Sequence, residues 1–333
     1  MTDDVAAAPL RVAILGCGPR GIATAQFLVA TGIGAPVGFW DRNPARAAAA
    51  CAEFGGATAT SVARLVELTT PDLTAVLTHP AMRSELVASA VSGGTRAILI
   101  EKPVALDEYE LARVEAAASD AFVVVSTQYQ WMPHWRRYLA RIRDGELGDI
   151  LAISGSTVVN VLEQGSHVLS LVLAVAEAGR LGSPEWVLAG SSGSADVGGV
   201  GVPESLVATM GIGPVRLNLT AGPASRPVPG ETVSVYQQQL EVVGSRGRLW
   251  VSLNQGATLW TASGGLVETE RTAWPRDDIA ALSAFYGDIA ASLRDSDLRA
   301  SFATRLERAA RQSRILFAAI ESARQGEIIT LTG

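Results

Sequence analysis

The sequence predicts an α/β protein whose front half is a doubly wound parallel sheet. Three observations predict it. Short apolar runs alternate with helix-like stretches from residue 11 to residue 126, the pattern of parallel strands joined by crossover helices. A glycine turn, Gly16-Cys17-Gly18-Pro19-Arg20-Gly21, separates the first run from the first helical stretch. Asp41 closes the second run, 20 residues beyond Gly21, where a dinucleotide fold places its ribose carboxylate. A chain of 333 residues has room for two domains, which divide here as 1–126, a nucleotide-binding domain, and 127–333, a substrate-binding domain.

Residues 11–15 form the first strand and 22–30 the first helix. Between them Gly16 permits a tight turn, Gly18 lets the backbone approach a pyrophosphate, and Gly21 lets helix and strand pack closely; amides at the helix start then face the phosphates. Pro19 and Arg20 lie in the same turn and count among the expected cofactor contacts. The second strand, 37–40, delivers Asp41. Its carboxylate would accept bonds from ribose hydroxyls and repel a 2′-phosphate, which favours NAD; Arg42 beside it would pair with a 2′-phosphate, so NADP stays open. The plainer reading of Asp41 is a turn aspartate before Asn43-Pro44.

The alternation continues. Helices are expected at 45–53 and 61–68, and a strand at 73–77 that ends in Thr78-His79-Pro80. A helix at 83–92 leads to a strand at 97–100 that ends in Glu101-Lys102-Pro103. A helix at 106–118 and a strand at 122–126 complete the sheet. In such sheets ligands bind at the carboxyl ends of the strands, so Gly16, Asp41, Thr78, Lys102 and Gln128 are expected along one edge. His79 and Pro80 would lie there too, His79 against the nicotinamide ribose, with Glu101 next to the lysine.

Lys102 stands out. The 27 basic side chains comprise this one lysine and 26 arginines. Arginine is a fixed, permanently charged fork, whereas lysine is a compact donor that can lower its pKa and exchange a proton. One lysine kept at a strand end therefore reads as a working group; the alternative is chance survival of a surface residue.

In the back half, 151–161 is rich in β-branched residues, as a strand should be. A helix at 168–178 follows Ser166 and stops at Gly179. His167 falls in its first turn and Glu163 just before it. Apolar runs at 186–189, 205–210, 215–220, 233–243 and 248–253 suit a meandering sheet. The glycine-rich stretch 193–203 reads as a mobile loop, and 279–293 and 301–323 as helices. An imidazole with an unperturbed pKa of about 6.5 suits proton exchange, which makes His167 a candidate base and Glu163 the group that orients it or holds a substrate hydroxyl. The plainer readings are a locally satisfied histidine and a solvated carboxylate. His134, among Trp131, Pro133 and Trp135, reads as a packing residue.

Several marks in order resemble the Gfo/Idh/MocA oxidoreductase family, which includes glucose–fructose oxidoreductase and inositol dehydrogenases. They are the glycine turn, Glu101-Lys102-Pro103, Gly145-Glu146-Leu147-Gly148-Asp149-Ile150, Glu163-Gln164-Gly165-Ser166-His167 (similar to D-x-G-x-H), and the strand–turn–strand around Gly244-Ser245-Arg246-Gly247. The resemblance implies a Rossmann domain followed by an α/β domain with a large, mostly antiparallel open sheet, through which a homodimer or homotetramer would form. It also implies hydride transfer between nicotinamide and a carbinol or ketone carbon of a sugar, cyclic polyol or sugar-derived intermediate. Three departures lie on the substrate side. Ser170 stands where the family often has aspartate, Glu163 replaces the usual aspartate, and Gln130 replaces the arginine of a Y-R-F-x-P region. Gln130 and Trp131 are the expected substrate contacts, with Trp131 equally readable as a core aromatic.

Composition excludes other classes. A net charge of −6 with no basic stripe argues against a nucleic-acid partner. No apolar run approaches the roughly 20 residues that span a bilayer, and the acidic start lacks a secretory n-region. Cys17 and Cys51 belong to no metal-like cluster, so no metal is expected, and a cytoplasmic setting follows. The expected activity is an NAD-dependent oxidoreductase in which His167 takes a hydroxyl proton while Lys102 stabilises the oxygen. Its rivals are a redox-neutral elimination, epimerisation or glycosidase reaction on tightly held NAD⁺, and a non-catalytic nucleotide sensor.

Overall fold

The computed structural model describes residues 8–118, 121–263, 265–270 and 276–331. By contacts the chain forms two compact units. One holds the chain up to Ala105, Tyr109–Ser126 and Ser283–Leu306; the other holds Leu106–Glu108, Thr127–Leu282 and the chain from Glu307. A single division at 126/127 omits the return of 283–306 to the first unit.

The first unit alternates strand and helix: β1 (Leu10–Leu15), α1 (Pro19–Thr31), β2 (Gly34–Trp40), α2 (Pro44–Phe54), β3 (Ala57–Thr58), α3 (Val62–Thr69), β4 (Leu73–Val76), α4 (Arg83–Ser92), β5 (Ala97–Ile100), α5 (Glu108–Ala117) and β6 (Phe122–Val125). α2 and α3 start where short polar side chains cap them. Asn43 accepts from the Ala45 amide and Ser61 from the Arg64 amide, each satisfying a donor the helix leaves open. The sheet is parallel throughout, in the order β3-β2-β1-β4-β5-β6. Every residue of β4, β5 and β6 is buried, which is why those strands read as unbroken apolar runs rather than alternating ones. The strand order reverses between β1 and β4, the switch point at which such sheets hold ligands.

The second unit carries α6 (Pro133–Arg143), β7 (Ile150–Thr157), α7 (Gly165–Ala178), β8 (Trp186–Ser192), β9 (Ala195–Val197), β10 (Val200–Val202), β11 (Ser205–Ile212), β12 (Val215–Ala221), β13 (Gln238–Gly244), β14 (Gly247–Ser252), β15 (Gly256–Thr261) and β16 (Gly265–Glu270). After α8 (Arg276–Ser292), α9 (Ser296–Ser301) and α10 (Leu306–Gln325), the last strand β17 (Ile329–Thr330) joins the same sheet. The order is β16-β15-β14-β13-β7-β12-β11-β8-β17. Among the described strands of this nine-stranded sheet only β7 and β12 pair parallel; the other neighbours are antiparallel. Eleven of the 14 residues of α7 are buried, and it lies so close to β7 that a side chain at Gly155 would meet Val168 and Val172.

Three expectations are corrected. The stretch 193–203 is not a plain loop. It holds the hairpin β9–β10, with Val197 opposite Val200 and Val197 and Val202 buried. Gly198 and Gly199 both have positive φ, 63° and 85°, as a two-residue primed hairpin turn requires. The strand expected from 233 begins at Gln238, after a 3-10 turn over Ser234–Tyr236. The helix expected from 301 begins at Leu306. The residues just before it run along β6 instead: Val125 donates to the Thr304 carbonyl at 2.9 Å, and Val124 bridges Arg305. That pairing covers an open sheet edge. Phe302 meets Phe122 edge-on at 5.7 Å and Phe285 at 5.9 Å. Among the described residues no helix is long and apolar enough to cross a membrane.

Candidate functional site

The glycine turn follows β1. Gly16 has φ +100°, and a Cβ there would lie 2.9 Å from the Leu77 carbonyl oxygen and from Thr78 Cγ2. A Cβ at Gly21 would collide with the Gly16 carbonyl oxygen, whereas one at Gly18 would meet nothing within 4 Å. Two of the glycines are thus required by the protein's own packing. The third leaves open space above a backbone that starts a helix, where Pro19 occupies the first turn and offers no amide to satisfy.

Asp41 braces this turn. Its Oδ2 accepts from the Cys17 amide and its Oδ1 from the Asn43 amide, both at 2.8 Å. The turn role and the site role are therefore compatible, because a carboxylate has about four acceptor positions. Arg42 is exposed. Burial, then the Asp41 charge, pushes the Cys17 thiol up to about 12, against a smaller opposite pull from Arg46.

At the end of β5, Glu101 is buried. It accepts from Arg20 Nε at 2.9 Å and from the Lys102 amide at 3.0 Å. It thereby ties the first turn of α1 to the half-buried lysine, whose peptide bond to Pro103 is cis. Tyr286 of α8 lies in the same unit. Its phenol is held well above its usual pKa, by burial first and then by Glu101, and its ring is 5.7 Å from Phe27.

After β4, the Thr78 hydroxyl is buried with no hydrogen-bond partner among the described residues. His79 is exposed and its Nδ1 accepts from the Ala81 amide at 3.3 Å, capping the short 3-10 helix that Pro80 begins. Arg83, absent from the sequence-derived candidates, is buried. It donates twice to the Thr78 carbonyl and once to the Pro103 carbonyl. Burial lowers its pKa to about 10, opposed by Glu101. A signal did exist: an arginine opens α4, the end where the helix dipole disfavours cations.

The second unit gathers the other candidates. Gln128, expected on the sheet edge, sits in a 3-10 turn, Gln128–Trp131, and donates to Asp278 Oδ1 at 3.2 Å. Tyr129 in that turn stacks on His167, with ring centroids 4.3 Å apart and planes 22° from parallel. Gln130 donates to Ser170 Oγ at 2.9 Å, and Trp131 is buried. His167 and Ser170 are both buried in α7. The side chain of Glu163 is exposed and accepts from Asn160 Nδ2, while the Glu163 amide donates to Asn160 Oδ1. His134 packs against Trp135, ring centroids 6.0 Å apart, and burial lowers its pKa to about 4. Among the described residues no cluster of His, Cys, Asp and Glu is arranged to hold a metal.

Residues 10–129 match the model of the Gfo/Idh/MocA family, the oxidoreductase family with an NAD-binding Rossmann fold. Over those residues the chain is similar to the Gfo/Idh/MocA family. No curated protein sequence matches the chain. Solved structures show how far the likeness in fold extends. Levoglucosan dehydrogenase, in complex with NADH and levoglucosan, is 17% identical with TM-score 0.79, covering 97% of this chain and 99% of that one. The WlbA dehydrogenase from Bordetella pertussis, in complex with NADH and UDP-GlcNAcA, is 18% identical with TM-score 0.74, covering 98% and 99%. The Gal80p super-repressor mutant from Saccharomyces cerevisiae is 13% identical with TM-score 0.78, covering 97% and 98%. The likeness in fold therefore extends beyond residues 10–129 to nearly the whole chain.

Proposed function

We propose that the protein is an NAD-dependent oxidoreductase acting at a CH–OH or C=O carbon of a sugar, a cyclic polyol or a sugar-derived intermediate. One observation carries the reading. The chain's single lysine stands at the carboxyl end of β5 in an NAD-binding Rossmann domain, and the buried Glu101 anchors its backbone. The residues present fit a dinucleotide. Gly18 leaves open space at a helix start, the Asp41 carboxylate reaches the turn, and the Thr78 hydroxyl has an unused bonding capacity.

Gly16, Gly18, Pro19, Arg20, Gly21, Asp41 and Arg42 would hold the adenosine and pyrophosphate. Thr78, His79, Pro80 and Glu101 would line the nicotinamide end. NAD supplies the hydride-transferring centre when bound. Lys102 donates a hydrogen bond to the substrate oxygen and stabilises charge developing on it. His167 exchanges the hydroxyl proton, Glu163 orients His167 or holds a substrate hydroxyl, and Gln130 and the apolar wall of Trp131 contact the substrate. Residues 1–126 would serve the cofactor, and 127–333 the substrate and self-association. For the latter, the face of the nine-stranded sheet bearing the exposed Leu188, Val207 and Trp260 would pair with a second copy.

The test is a panel of sugars, polyols and ketosugars with NAD(H) and NADP(H), read at the reduced-nicotinamide absorbance band. Turnover is expected with NAD(H). Lys102→Arg should abolish it while NADH binding stays within a few-fold. NAD⁺ released only on denaturation, with no net absorbance change, would indicate redox-neutral chemistry. Cofactor binding without any turnover would indicate a sensor on the fold shared with Gal80p.

A further inference from the structure

His167 sits near the start of α7, whose N-cap position, Gln164, gives no side-chain cap. Two consecutive residues of the neighbouring 3-10 turn reach this face of α7. The Tyr129 ring lies 4.3 Å from the His167 ring and within 22° of parallel. Gln130 Nε2 donates to Ser170 Oγ at 2.9 Å. His167 and Ser170 are three residues apart in a helix, so they share one face on adjacent turns. The gripping turn is itself held: Gln128 donates to Asp278, and the Met132 amide closes onto the Tyr129 carbonyl at 3.1 Å.

We infer that Tyr129 and Gln130 are positioning residues for His167, the stacked ring setting the plane of the imidazole and the Gln130–Ser170 bond setting the register of α7 beneath it. This rests on the reading of His167 as the proton-exchanging group. A planar neighbour removes rotation about the imidazole's last torsion, so its nitrogens point along one in-plane direction. Loss of such pre-orientation is costly, since small misplacements slow a proton transfer strongly. Gln130 and Ser170 are also two of the three departures from the family pattern, and they touch each other. They therefore form one interaction between uncharged groups. A charge introduced at either position alone would be placed in a part-buried site without its partner.

The chain has three histidines, so ¹³C-histidine labelling resolves them, with assignments from single His→Asn variants. In the folded protein the His167 ring protons should carry an upfield ring-current shift. Tyr129→Phe should retain it and Tyr129→Leu should remove it. With a substrate found in the panel above, Tyr129→Leu should lower kcat roughly tenfold, leave KM and NADH affinity within about threefold, and raise the solvent isotope effect; Tyr129→Phe should restore kcat. Gln130→Arg and Ser170→Asp should each lower the melting temperature, and the double variant should recover most of the loss. An unshifted His167 signal in the parent protein, or unchanged kcat and isotope effect in Tyr129→Leu, overturns the stacking role. Strict additivity of the two charged substitutions overturns the paired role. If His167→Asn turns over normally, the assignment of His167 itself falls and its positioning residues fall with it. If His167→Asn is impaired and Tyr129→Leu is not, the clamp alone is wrong.

Discussion

The Arg83 guanidinium donates to the Thr78 carbonyl oxygen from two nitrogens, Nε at 3.2 Å and Nη2 at 2.9 Å. Its remaining terminal nitrogen donates to the Pro103 carbonyl. One buried side chain thus joins the segment after β4 to the segment after β5 that carries Lys102. Replacing Arg83 by Leu leaves two part-buried carbonyls without these donors, each worth about 1–3 kcal/mol. The variant should lose at least about 2 kcal/mol of stability in urea unfolding. Arg83→Lys should recover only part, because an ammonium lacks the rigid fork that reaches both carbonyls. A urea midpoint for Arg83→Leu equal to that of the parent would contradict this bridge.

His134 should make the fold acid-sensitive. It is buried beside Trp135, and burial lowers its pKa to about 4, with Asp277 pulling it up and Arg137 pushing it down. The unfolded chain protonates it near 6.5. The folded state therefore favours the neutral ring. The stability this gives is present above pH 6.5, declines as pH falls because the unfolded state takes up the proton first, and is fully lost by about pH 4. The full effect is about 3 kcal/mol. His134→Gln should flatten that part of the stability profile between pH 7 and 4, measured by urea unfolding at stepped pH. An unaltered slope would show that the ring is not buried neutral.

The first unit was legible because three of its strands, β4, β5 and β6, are buried on both faces. Unbroken apolar runs such as 97–100 then mark strands without ambiguity, and the glycine turn and Asp41 punctuate them. What could not be read is what crosses the chain. That Asp41 braces the Cys17 amide 24 residues away, or that Arg83 reaches Pro103, leaves no trace in local pattern. The Tyr129–His167 stack was hidden for a second reason: a four-residue 3-10 turn has no periodicity to reveal which of its side chains face a neighbour. In the second unit, Gly198 and Gly199 read as a loop because composition alone does not separate a primed hairpin turn from a flexible segment.

The two thiols should react at very different rates. Cys17 is buried and its pKa is pushed up to about 12, so almost no thiolate exists at pH 8, and the thiolate is the nucleophile. Cys51 is half-buried, with its Sγ donating to the Gly56 carbonyl at 3.1 Å. Titration of the native protein with a disulfide reagent should therefore show one fast thiol, lost in Cys51→Ser, and a second that appears only on unfolding. Two equally fast thiols would mean that the glycine turn opens readily and that the Asp41 brace does not hold it.

Asp41 links turn geometry to cofactor choice. Its carboxylate holds the Cys17 and Asn43 amides and, in the proposed site, also faces the adenosine ribose, while the exposed Arg42 stands next to it. Hydrogen bonds to a charged acceptor contribute about 1.5–3 kcal/mol. Asp41→Ser should accordingly weaken NADH binding by roughly tenfold to a hundredfold. It should weaken NADPH binding far less, because the substitution removes a repulsion of the 2′-phosphate that Arg42 would otherwise attract. Asp41→Asn separates the two roles. Its amide oxygen can still accept from the Cys17 amide, so the turn and the melting temperature should be nearly kept, while the charge that opposes the 2′-phosphate is gone. Isothermal titration of both dinucleotides against the three proteins distinguishes the cases. Equal losses for NADH and NADPH in both variants would mean that Asp41 acts only through the turn, and that the adenosine ribose is held by other residues.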